Sequence, residues 1–191
     1  MITHITVPAF ENKTKTLVHY GKEYLPTLIE TFPLETFHTK TIAALIGILA
    51  ENSKHNNNNP IDVTISTDND YLYIDADDSG PGFEAPILVS IKEKFSTYKN
   101  SKGKGLFSLI IIIISCNGTL SIQSKKRKEA YSFQQRLNNN PNQIMLDELI
   151  SAIKIPYQTE NAKGLQIKIF IPLKNIKKAT AEINLDSYTN L

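Results

Sequence analysis

The chain has 191 residues, 41% of them hydrophobic, enough for one domain with a substantial core. Its 21 basic and 19 acidic residues leave a net charge of +2, which gives no electrostatic ground for nucleic acid or a membrane as the main partner. A single cysteine, Cys116, excludes an intrachain disulfide and a cysteine-based metal cluster, and its apolar surroundings read as those of an inert buried thiol in a reducing compartment.

Residues 2–8 read as a short strand, with no charged and apolar leader pattern. Residues 13–32 have helical rhythm, interrupted by Pro26. Residues 36–55 form the clearest helix. Thr36 or Thr39 can cap it, and Ile42, Leu45, Ile46 and Leu49 make its apolar stripe. Residues 61–66 and 71–76 alternate as strands, and Thr67-Asp68-Asn69-Asp70 between them is a hairpin signature. A short helix is expected over 87–94, followed by a polar stretch to Lys104.

Residues 106–115 are the longest apolar run and fall well short of the roughly 20 needed to span a bilayer, so a cytoplasmic protein is expected. Five consecutive isoleucines favour a strand by propensity. Glycines before the run and Asn117-Gly118 after it favour a helix with a defined stop, so 106–116 is read as a buried helix. Strands are expected over 119–124 and 130–137, with Lys125-Lys126-Arg127-Lys128 a solvated turn between them. Leu146, Leu149, Ile150 and Ile153 have helical spacing. A last strand runs over 165–172, and the tail from Lys174 is polar.

Three short patterns carry chemistry. Asn52 continues the apolar stripe of its helix, and a polar side chain there needs partners, because an unpaired buried amide costs roughly 1–3 kcal/mol. Asp78-Ser79-Gly80-Pro81-Gly82 puts a carboxylate at a strand end before two glycines that permit a tight turn. Each of its pieces is also ordinary turn chemistry. Gly103-Lys104-Gly105, with Lys102 beside it, offers successive backbone N–H groups and positive charge at a helix start, as an anion site does.

The order of these patterns resembles the ATP-binding domain shared by histidine kinases, heat-shock chaperones, mismatch-repair ATPases, type II topoisomerases and anti-sigma-factor kinases, known as the Bergerat or GHKL fold. The resemblance covers roughly residues 36–173. It rests on Leu49 to His55 around Asn52, on Asp78 to Gly82, on Gly103 to Leu106, on Gly118 to Ile122, and on Gly164 to Pro172 as the closing strand. It implies an α/β two-layer sandwich, a mixed and mostly antiparallel sheet with helices on one face. Residues 1–35 would join that domain, 125–163 would be an insertion, and 174–191 a tail.

The resemblance also implies roles. Asp78 would accept a hydrogen bond from the adenine amine of ATP. Asn52 would ligate Mg²⁺, which would hold the phosphates. Gly80 and Gly82 would pass close to the base. Lys102, Gly103, Lys104, Gly105 and Leu106 would meet the phosphates, with Lys54 or His55 nearby. Residues 83–102 would be a lid, with Phe95 packed beneath it. The chain departs from the pattern at several points. Ile48 stands where hydrolytic members place a glutamate, Phe107 replaces a third glycine, and Leu165 replaces a threonine. No histidine has phosphoacceptor surroundings. The expected function is Mg²⁺-ATP binding in signalling, with phosphate passed to a protein partner or partner affinity switched by nucleotide. Efficient hydrolysis is not expected. The alternative is a protein-interaction module with a degenerate nucleotide site.

Overall fold

The computed structural model describes residues 2–7, 45–49, 60–80, 82–89, 91, 104–135, 150–159 and 164–175. Its frame is a seven-stranded sheet. The strands are β1 (Ile2–Val7), β2 (Ile61–Thr67), β3 (Tyr71–Asp78), β4 (Thr119–Ser124), β5 (Glu129–Gln135), β6 (Ile150–Lys154) and β7 (Leu165–Pro172), in the spatial order β1-β2-β3-β7-β4-β5-β6. Every described pairing is antiparallel, so the parallel component of the expected mixed sheet is not found among the described residues.

Period-two alternation decides which face is buried. Ile65, Ile74, Ile169, Leu120 and Phe133 lie side by side across β2, β3, β7, β4 and β5, and none exceeds 2% exposure. Helix α1 (Lys104–Ser115) covers this face through Leu109, Ile110, Ile112 and Ile113, which join the same core. Helical residues 45–49 enter that core too, with Leu45, Ile46, Ile48 and Leu49 all buried. These helices therefore pack on one face of the sheet, as the alternation required.

The isoleucine run resolves as helix. Burial of Leu109, Ile110 and Ile112 to Ile114 wraps most of the helix circumference, so tertiary packing overrides the strand preference of β-branched residues. The expected stop is present in detail. Asn117 has a left-handed φ of 51°, Gly118 N–H donates to Ile113 O at 2.8 Å, and Asn117 N–H donates to Ile114 O at 2.8 Å. This paired closure satisfies carbonyls that the helix end would leave open. A Cβ at Gly118 would sit 2.7 Å from Phe170 O, so glycine is required for the turn to lie against β7.

The β2–β3 hairpin is capped by Asp68. Its Oδ1 accepts from the N–H groups of Asp70 and Tyr71 at 2.9 and 2.7 Å, and Tyr73 Oη donates to its Oδ2 at 2.8 Å. Lys125 to Lys128 form the exposed β4–β5 turn, as expected.

One sequence expectation fails. Ile150 and Ile153 belong to strand β6, not to a helix. Pairing with β5 from Tyr131↔Lys154 to Gln135↔Ile150 satisfies the backbone, and a five-residue segment has too few turns to sustain a helix unaided. Leu146 and Leu149 lie outside the described residues, as do the expected helix over 13–32 and the tail beyond residue 175. The 125–163 stretch thus adds two strands to the sheet. Its residues 155–158 then return over the sheet face opposite the described helices α1 and 45–49. There Gln123 and Gln158 exchange two hydrogen bonds, 2.7 and 2.9 Å long.

Candidate functional site

Asp78 is the last residue of β3. It keeps the parity of Leu72, Ile74 and Ala76, so it belongs to the helix-covered face, and it is only 3% exposed. Its Oδ1 accepts from Gly80 N–H at 3.0 Å and from Leu165 N–H at 2.8 Å. The first bond closes a local turn of the kind aspartate favours. The second ties the end of β3 to the start of β7 across 87 residues of chain.

The glycines serve this junction. A Cβ at Gly164 would meet Gly80 O at 1.8 Å and Asp78 Oδ1 at 2.6 Å, so the loop after β3 is seated directly on the backbone of residue 164. Gly82 has φ +80°, and a Cβ there would meet Ser124 Oγ at 2.6 Å and Gly164 O at 2.9 Å. By sequence, Gly80 and Gly82 would pass close to a flat ligand; the close contacts seen in the structure are with the protein itself. At Gly82 and Gly164, the space a side chain would fill is taken by the protein's own loop.

Sequence reasoning missed Ser124. It ends β4 on the buried parity of Leu120 and Ile122 and is fully buried. Its hydroxyl oxygen accepts from Phe83 N–H at 3.0 Å, which anchors the segment after Gly82. Lys125 N–H donates to Gly164 O at 2.9 Å beside it. Glu84 pairs with Lys126, and Ile87 N–H donates to Glu129 Oε2 at 3.2 Å. The available signal was a lone hydroxyl continuing an apolar alternation at a strand end.

The other expected site residues divide in two. Lys104, Gly105 and Leu106 form the first turn of α1, so the helix begins two residues earlier than expected and Gly105 lies inside it. Their N–H groups belong to the turn whose donors have no intrahelical partner. Asn52, Lys54, His55, Phe95, Lys102 and Gly103 lie outside the described residues. Ile48 is 4% exposed within the core, so its side chain contributes packing.

Among the described residues no cluster of three or more histidine, cysteine or acidic side chains could hold a metal ion. No described helix is long and apolar enough to cross a membrane. Compared with known proteins, the chain matches no family model, no curated protein and no solved structure.

Proposed function

We propose that the chain is a histidine-kinase-like Mg²⁺-ATP-binding protein of signalling, which hands phosphate to a protein partner or changes its hold on that partner with nucleotide state. The observation that carries this reading is the setting of Asp78. It is a buried carboxylate at a strand end on the helix-covered face, braced through one oxygen by Gly80 and Leu165. A carboxylate fixed in this way is pre-organised to accept from a purine amine, at little further ordering cost to its own side chain. The antiparallel sheet with helices on one face, and the donors in the first turn of α1, agree with the same reading. ATP would bring the transferable phosphate. The chain's own groups would orient the base and exclude water. Asn52 is the residue of the sequence pattern suited to Mg²⁺.

Ile48 bears on the reaction class. An apolar side chain packed in the core cannot activate water, and a missing general base typically costs 10²–10⁴-fold in rate. Nucleotide binding without fast hydrolysis is the expected behaviour. The alternative, a binding module with a degenerate nucleotide site, draws on one observation. Oδ1 of Asp78 is already committed to two backbone donors, so its purpose is also met by fastening β3 to β7.

Calorimetry with Mg²⁺-ATP separates the two. Asp78→Asn should weaken binding by about 1.5–3 kcal/mol, roughly tenfold to a hundredfold. Equal affinity in variant and wild type, with both folded, would remove adenine from Asp78.

A further inference from the structure

The sheet face opposite the helices carries apolar side chains in a pattern that water alone does not account for. Of the four large hydrophobics exposed among the described residues, Ile2, Ile153 and Phe170 belong to this face. Phe170, at the centre, is 37% exposed and stacks on Tyr71 at 4.6 Å, with Tyr73 edge-on at 5.2 Å. Beside these rings runs a groove of about 410 Å³, walled by Tyr73 and Phe170 and bordered by Thr64, Ser121, Asp75 and Lys168.

Two registers decide what fits the groove. Tyr73 is directly opposite Phe170, and Asp75 is directly opposite Lys168, on the adjacent central strands β3 and β7. A two-fold axis along the strand direction, in the plane between two facing sheets and midway between β3 and β7, lays each β3 over the other copy's β7. Phe170 of each copy then falls over Tyr73 of the other, and Lys168 over Asp75. The patch is complementary to itself in both shape and charge, as an isologous interface must be. Within one chain, Asp75 and Lys168 stand 3.9 Å apart, both 40–45% exposed, so neither charge is fully used. Burial already pushes the Asp75 carboxyl above the usual carboxylate value, and a second ammonium over it would relieve that penalty.

We infer that two copies of the chain associate face to face through the part of this sheet surface that residues 155–158 leave open, with the Tyr73–Phe170 and Asp75–Lys168 pairs at its centre. Residues 155–158 occupy the face beside Gln123 and Gln166, so the open overlap of β1 to β5 is about 24 Å by about 14 Å, about 700 Å² over both copies. That is the size of a weak, transient interface, and area alone does not fix its affinity. The surface is on the opposite side of the sheet from Asp78, so dimerisation stands whether or not nucleotide binds there.

Sedimentation equilibrium of the full chain from about 1 µM to about 1 mM tests the inference. Wild type should rise from its 21.4 kDa mass towards twice that value. D75K alone and K168E alone each put like charges over one another and should remain monomeric, with association weakened at least about a hundredfold. Mixed in equal amounts, these two variants should pair with each other, and D75K/K168E in one chain should again self-associate. Circular dichroism confirms that each variant is folded. A wild type that stays monomeric throughout overturns the inference. So does a dimer that both single reversals leave intact, or a mixture in which the two variants ignore each other.

Discussion

Gly164→Ala tests whether the loop after β3 is seated on β7 as described. The new Cβ would lie 1.8 Å from Gly80 O and 2.6 Å from Asp78 Oδ1. Both obstacles are held in place. Gly80 is part of a turn closed on Asp78, and Asp78 is bonded to the residue that follows the substitution. To reach ordinary contact, the carbonyl must retreat by at least about 1.5 Å. A hydrogen bond near its 2.8 Å optimum does not survive a shift of that size, so the Leu165 N–H···Asp78 bond is lost or badly bent. Overpacking of a close-fitted site costs about 1–3 kcal/mol, and a bond to a buried carboxylate is worth about 1.5–3 kcal/mol. The combined loss is about 2.5–6 kcal/mol, a large share of the 5–15 kcal/mol by which domains are usually stable. For a chain of this size the melting temperature should fall by roughly 5–24 °C. Urea denaturation followed by far-ultraviolet circular dichroism measures the change, with the slope expected to stay constant. A Gly164→Ala protein within 0.5 kcal/mol of wild type, a difference typical of an unconstrained surface site, would show that the loop does not rest on residue 164.

Three further outcomes follow from the same contacts. Ser124→Ala removes the acceptor for Phe83 N–H in a fully buried setting and should cost about 1–3 kcal/mol by chemical denaturation; an unchanged midpoint would mean that another acceptor takes its place. Asp68 has its carboxyl held below the usual carboxylate value, first by Asp70 N–H and then by Tyr73 Oη. Because the folded value is depressed, the charge stabilises the hairpin above about pH 4, and that stability is lost as pH falls through the folded value. Asp68→Asn should therefore melt below wild type at neutral pH and together with it in strong acid; a gap that persists there would assign the effect to shape. Burial pushes the Cys116 thiol up to about 12. The unfolded thiol ionises first, so stability should fall between about pH 9 and pH 12 by up to about 1.4 kcal/mol per unit, and Cys116→Ser should flatten that slope. Rapid labelling of the native thiol by a disulfide reagent at pH 8 would contradict its burial.

Much of the fold is legible in the chain because it rests on local periodicity. Ile61, Val63 and Ile65, then Leu72, Ile74 and Ala76, and then Ile167, Ile169 and Ile171 alternate so regularly that only one face of each strand can be buried. The end of α1 is equally local, since Asn117 and Gly118 carry the closure within three residues of Ser115. Strand β6 was not legible, because Leu146, Leu149, Ile150 and Ile153 have helical spacing, whereas in the strand Ile150 and Ile153 lie on opposite faces, and only pairing with β5 decides the matter.

The site divides along the same line. Asp78 and the glycines after it can be read as a unit because their turn is local. Its partners cannot be read in this way. Leu165 N–H arrives from 87 residues away and Ser124 Oγ reaches Phe83 from 41 residues away. Both depend on β7 lying between β3 and β4, an order that no short-range pattern specifies. The same order produces the second surface. By placing Lys168 beside Asp75 and Phe170 beside Tyr73, β7 builds a self-complementary patch on one side of the sheet. On the other side it fastens the carboxylate at the end of β3. A change that slipped β7 by one residue would exchange its two faces, putting Lys168 into the core and Ile169 into the groove. One strand therefore sets the geometry of both surfaces, and a register shift in it would abolish both together. Substitutions confined to Gly164 or to Lys168 should separate them.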